Sequence, residues 1–166
     1  MTLSQDPTGL DALDRAIVNA LVADARISNA ALAETVGVAP STALVRTRSL
    51  VERGVIEGYH AAVSLAAVGR PVRALIAVKL RAHDREEIDR FMRSVPGLPD
   101  VVEMFHVSGG TDYLLHIAVA STDALRTWVL DNLATDASVA HTETTLIFGH
   151  HPGTTAGPLF PPTPEG

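Results

Sequence analysis

The residues whose types and spacing suit chemistry gather between Pro40 and Arg53. On a helix, at about 100° per residue, Ser41, Thr42, Val45, Arg46 and Ser49 share one side. Pro40, Ala43, Leu44, Thr47, Leu50 and Val51 share the other, and can pack. The first set holds small hydroxyls, one apolar side chain and one arginine. A helix offers such a set to a major groove, as hydrogen bonds to base edges and an apolar contact for a thymine methyl. Arg48 and Arg53 flank it and suit phosphates. The same pattern also fits an ordinary surface helix in a helical hairpin. The seven histidines make a weaker case for metal or acid–base work. His150 and His151 are adjacent on an expected strand, so they point to opposite faces. His106 and His116 fall on strands joined by one turn, but no carboxylate or further histidine completes a site. No metal or cofactor is expected.

The elements that must position the first set are legible around it. Ser28 suits a helix cap, Ala30, Leu32, Ala33 and Val36 form an apolar stripe, and Gly37 ends it. Pro40 suits the first position of a new helix, where its missing N–H had no partner. Two short helices joined in this way have the form of a helix-turn-helix. Upstream, Thr8 to Asp11 resembles a capping box with Asp in place of Glu or Gln. Leu10, Leu13, Ile17, Ala20 and Leu21 then recur at helical spacing. Downstream, residues 55–71 are expected to be strand and linker, broken at Gly69-Arg70-Pro71.

From Val72 the period changes. Val72, Ala74, Ile76, Val78 and Leu80 alternate as on a strand. A helix follows with Ile88, Phe91, Met92 and Val95 inward. Then come a strand over 100–108, a turn at Gly109 to Asp112, and a returning strand from Tyr113. Ser121 or Thr122 caps a helix carrying Leu125, Trp128, Val129 and Leu133 inward, and a last strand runs over 139–151. The order βαββαβ is ferredoxin-like, with two helices on one sheet face and the other face open to a partner. The Pro- and Gly-rich end is expected to be extended beyond about Gly153. Its Leu159 and Phe160 could dock on a neighbour, though a free tail is the simpler expectation.

Composition bounds the reading. The chain has 166 residues, 46% of them hydrophobic and 19% charged, enough apolar content for a packed core. Lacking cysteine, it has no disulfide, thiolate metal site or cysteine nucleophile. No run reaches transmembrane length, and MTLSQDPTGLD lacks the regions of a signal peptide, so a cytoplasmic location is expected. The net charge of −6 is unlike a non-specific nucleic-acid coater. Locally, Arg46, Arg48 and Arg53 stand against Glu52 alone within residues 39–53, so any DNA binding is expected to be weak per copy and salt-sensitive.

From about Leu10 to His151 the chain resembles the Lrp/AsnC (feast/famine) family, on the runs DARISNAALAETVGV, RGVIEGYHA, VSGGTDYLL and VAHTETTLI. The resemblance implies an α+β fold: a winged helix-turn-helix domain over 8–60, a linker strand over 61–71, a ferredoxin-like ligand-sensing and oligomerisation domain over 72–151, and a flexible tail over 152–166. It implies a sequence-specific transcriptional regulator of double-stranded DNA rather than an enzyme, with Ser41, Thr42, Val45, Arg46, Arg48 and Ser49 at the DNA. It also implies homodimers formed through the open sheet faces, stacked into tetramers or octamers, with no membrane partner. A small effector, typically an amino acid, would bind between the sensing domains, and the matching positions are Ser108, Gly109, Gly110, Asp112, Thr142 and Thr144. There Gly-Gly would let backbone amides approach a carboxylate, and Asp112 would accept from an ammonium. The same residues also suit a plain hairpin turn.

Two departures stand out. Ala39 replaces the serine that many relatives have before the helix proline, and Val45, Thr47 and Ser49 stand where relatives often carry basic residues. Two other readings share the layout. One is a haem-biosynthesis decarboxylase of the sirohaem type, which needs a tetrapyrrole pocket with basic and histidine groups. The other is a sensing or assembly module that no longer binds DNA.

Overall fold

The computed structural model describes residues 9–81, 85–151 and 159–160. The chain divides into two compact units, one of residues up to 61 together with those from 151 on, the other of residues 62–150.

The first unit holds α1 (Ala12–Ala23), α2 (Asn29–Val36) and α3 (Pro40–Glu52). Asp11 caps α1, its carboxylate accepting from the Asp14 N–H at 2.8 Å. The cap therefore lies three residues beyond the expected Thr8, which is outside the described residues; Gly9, at φ +62°, turns the chain before the helix starts. Ser28 caps α2 as expected, and Gly37 closes it at φ +71°, a conformation that costs glycine little. Leu10, Ile17, Val18, Leu32 and Leu50 form the core.

The buried strip of α3 is narrower than its apolar pattern suggests. Ala43 and Leu50 are fully buried and Thr47 half-buried, whereas Leu44 and Val51 are exposed. Ala43, Thr47 and Leu50 are the i, i+4, i+7 line, and two short neighbouring helices cover little more than one such line. In α2, likewise, Ala30 is exposed rather than packed.

No strand forms over residues 55–71 within this chain, where strand and linker were expected. Residues 64–70 instead make a helical turn. Ser64 Oγ accepts from the Ala67 N–H, Arg70 N–H reaches Leu65 O at 2.8 Å, and Gly69 closes it at φ +82°. A strand needs a ladder partner, and within this chain the 55–71 segment has none.

The second unit contains β1 (Val72–Leu80), α4 (Arg85–Ser94), β2 (Val101–His106), β3 (Tyr113–Val119), α5 (Thr122–Val129) and β4 (Val139–Leu146). The order β2-β3-β1-β4, antiparallel throughout, is the expected ferredoxin-like sheet. Ala74, Ile76, Val78 and Leu80 meet Phe91, Leu125, Trp128 and Leu133 in the core. Trp128 Nε1 donates to Pro99 O at 2.8 Å, which settles the one polar atom of that large side chain. Met92, expected inward, is exposed. Leu75, Ala77, Leu114 and Phe105 alternate with the buried residues and pair across the strands, so they lie together on the other sheet face.

The tail departs from the free segment expected. Phe160 packs against the core of the first unit; residues 152–158 and 161–166 lie outside the described residues.

Candidate functional site

Helix α3 is held at both ends by backbone chemistry. Ala39 supplies no side-chain cap, but its carbonyl accepts from Thr42 and Ala43, and Asn29 Nδ2 donates to Pro40 O at 2.8 Å. The far end is closed by Gly54 at φ +71°, with Val55 and Ile56 both donating to Leu50 O. Ser41, Thr42 and Val45 are exposed, and with Arg46 they line one shallow depression. Arg48 is exposed beside them, while Ser49 is half-buried. The helix thus brings four of the six predicted DNA-contacting residues onto one surface.

Arg46 is the exception to a freely offered side. Its Nη1 lies 2.7 Å from Asp11 Oδ2 and 3.2 Å from Asp14 Oδ1. Arg53 joins them, with Nη1 3.1 Å from Asp14 Oδ2 and Nη2 donating to Gly9 O. Asp14 is buried; both arginines keep about 40% of their side chains exposed. The Asp14 N–H bond, with Arg46 beside it, holds the Asp11 carboxyl below its ordinary value against the opposing effect of burial. The Asp11 hydrogen bond in turn pushes the Arg46 guanidinium up. Sequence reasoning overlooked Asp14. The signal was there: an acid one turn after Leu10 and three residues before Ile17, on the packing side of a helix, calls for a cation.

At the other candidate site, Ser108, Gly109 and Gly110 form an exposed turn, with Gly109 at φ +113°. Asp112 is buried at its base. Its Oδ2 accepts from the Leu80 N–H at 2.7 Å, its Oδ1 lies 3.0 Å from Lys79 Nζ, and its own N–H donates to Val78 O. The carboxylate expected to receive a ligand ammonium therefore ties β3 to β1. Thr142 pairs with Val78 from the other side of β1, and Thr144 with Ile76. The turn and Thr142 share one end of the sheet with β1 between them. Thr144, two residues further along β4, is exposed and lines an apolar depression with Leu125, Arg126 and Val129.

The histidines go to separate surroundings. His106 stacks on Tyr113 at 4.8 Å, whereas buried His116 accepts from Arg73 Nε at 3.0 Å and faces Glu103 at 4.0 Å. His150 approaches His116, with ring centres 6.3 Å apart. Among the described residues no group of three or more His, Asp or Glu is placed to hold a metal ion, and no helix is long and apolar enough to cross a membrane.

Residues 10–51 match the AsnC-type helix-turn-helix domain, and residues 73–155 match the Lrp/AsnC ligand binding domain. The HTH-type transcriptional regulator AldR of Mycobacterium tuberculosis is 43% identical over 144 residues, 87% of this chain and 80% of that protein. The transcriptional regulator AzlB of Bacillus subtilis is 31% identical over 90% of this chain and 96% of its own length. A transcriptional regulator of Neisseria meningitidis, solved as a complex with L-Met, superposes with a TM-score of 0.81 at 31% identity, covering 90% of this chain and 97% of that one. Both halves match in order, over nearly the whole length and on a shared fold, and the chain belongs to the Lrp/AsnC family of transcriptional regulators.

Proposed function

We propose that this protein regulates transcription by presenting the Ser41–Thr42–Val45 side of α3 to the major groove of double-stranded DNA, as an assembly of copies whose state answers an amino acid. The observation that carries the reading is the surface of α3. Two hydroxyl side chains and one valine share a depression with Arg46, and Arg48 stands exposed beside it. These supply hydrogen-bonding groups, an apolar contact and phosphate-binding charge on one helix side. The relatives that are named transcriptional regulators support it.

The assembly follows from charge and from the sheet. A chain of net charge −6 with one small basic surface binds DNA weakly as a single copy, and linking two such surfaces raises avidity. Leu75, Ala77, Leu114 and half-exposed Phe105 on the open sheet face suit a second copy of the chain, and dimers can stack further into tetramers or octamers. In this reading the amino acid binds at the 108–112 turn together with Thr142 and Thr144. Ser108 and the Gly109 and Gly110 amides would take its carboxylate. Asp112, already bonded to Lys79 and Leu80, serves there as a positioning residue. The neighbour solved with L-Met supports an amino acid as the class of effector.

The test is a titration of the full chain with DNA from upstream of its own gene, over a series of salt concentrations. Salt-dependent binding that exceeds binding to random duplex is expected. Arg48→Ala should make the salt slope shallower by about one unit, on both DNAs alike. Absence of binding to either DNA at low salt overturns the reading. Calorimetry with single amino acids tests the effector separately.

A further inference from the structure

We propose that the helix-turn-helix unit carries a docking site for the chain's own C-terminal segment, in which Phe160 packs on the core and Asn19 reads its backbone. This goes beyond the function proposed above and rests on none of it. The Asn19 amide grips the backbone of one residue at two points. Its Nδ2 donates to Phe160 O at 3.1 Å, and its Oδ1 accepts from the Phe160 N–H at 3.2 Å. One turn back on α1, the Arg15 guanidinium lies over the Phe160 ring, 5.5 Å from its centre. The half-buried ring packs on the core of the unit. Leu159 borders a groove of about 400 Å³ lined by Val18, Leu21, Val55 and Ile56. A side chain that takes both the N–H and the C=O of one residue satisfies that residue's backbone as a strand edge would.

The sequence of the segment suits this docking. In Pro158-Leu159-Phe160-Pro161-Pro162 only Leu159 and Phe160 keep a backbone N–H, so a receptor that needs an N–H on a large apolar residue has only these two positions to choose between. The flanking prolines restrict the free segment, and docking therefore loses less conformational entropy. The consequence lies in α1. One side of the helix carries Asp14, which holds Arg46 and Arg53; Arg15 and Asn19 carry the docked segment. The tail thereby braces the helix that orients both arginines.

Hydrogen exchange on the full chain tests this, with Phe160→Ala and, as a milder surface change, Asn19→Asp, whose carboxylate cannot donate to the Phe160 carbonyl. The α1 amides should exchange about 3- to 10-fold faster in both, as expected from losing one or two net hydrogen bonds and a ring contact. Amides of β1 and β3 should not change. A peptide of residues 156–166 added to a chain ending at residue 151 should restore the protection, and the same peptide with Phe160→Ala should not. Unchanged α1 exchange in both variants overturns the proposal. So does protection that disappears on dilution of the full chain, since the bound segment would then belong to a second copy.

Discussion

Asp14 of α1 and Arg46 of α3 lie 3.2 Å apart, the carboxylate buried and the guanidinium partly in water, and Arg53, at the C-terminal end of α3, closes on the same carboxylate. One acid therefore fixes how the exposed helix sits on its support. The arrangement is asymmetric in cost. Water can solvate the two arginines once the acid is gone, but a buried acid has no such alternative.

Asp14→Ala should accordingly lower the stability of the first unit by about 1–3 kcal/mol, the loss expected of a buried, charge-assisted hydrogen-bonded group whose partners remain solvated. Urea unfolding of the full chain, followed by helical circular dichroism, measures it. A midpoint equal to the parent's would show that the carboxylate does not hold α3.

Asp11 is the exposed competitor for Arg46, at 2.7 Å. Asp11→Asn keeps an oxygen to cap α1 and removes the negative charge. DNA affinity should rise about 2- to 5-fold at low salt, and the gain should fade as salt screens it. Fluorescence anisotropy with one duplex at two salt concentrations reads this; equal affinity at low salt would remove Asp11 from the control of Arg46.

Asp112 makes a third, independent prediction. Asp112→Ala leaves the Leu80 N–H without its buried acceptor and Lys79 without its partner. The second unit should lose about 1–3 kcal/mol with no amino acid present. Asp112→Asn, which keeps one acceptor, should lose less. If the alanine variant melts with the parent, the bonds to β1 do not support the turn, and a direct ligand role for the carboxylate regains ground.

His116 sets a pH window. Burial holds its imidazole below the ordinary value of 6.5, with Arg73 and His150 pushing the same way and Glu103 opposing. The unfolded chain therefore takes up the proton first as pH falls. The contribution of His116 to stability is complete above about 6.5 and declines as pH drops below it toward the lowered folded value. His116→Gln, which can still accept from Arg73, should flatten the stability profile below 6.5. A profile of unchanged slope would contradict the assignment.

The open sheet face gives the last prediction. Leu114→Glu places a charge among Leu75, Ala77 and Phe105. The variant should sediment as a monomer where the parent forms dimers or larger species, because an uncompensated charge in an apolar interface is costly. Identical sedimentation would move the interface elsewhere.

Much of this protein could be read from the chain because much of it is local. Ser28, Gly37 and Pro40 mark helix ends through bonds to residues within one turn, and the alternation from Val72 to Leu80 assigns a strand without reference to its neighbours. The βαββαβ order, and with it the ferredoxin-like sheet, follows from such local signals in series. Side-chain direction along α3 was also local, so Ser41, Thr42, Val45 and Arg46 come out on one surface as their spacing implies.

Tertiary structure alone decided which of those groups are already engaged. Nothing within a turn of Arg46 says that Asp11 and Asp14 will reach it, nor does anything near Asp112 name the Leu80 amide. The strand expected over 55–71 failed for the same reason, since a ladder requires a second segment that local pattern does not supply. Phe160 meets Asn19, 141 residues away in sequence, because its ring packs on the core of the first unit. Each of these pairings joins residues far apart in sequence. Their choice depends on which surfaces packing leaves buried, and so on the whole fold rather than on any one stretch.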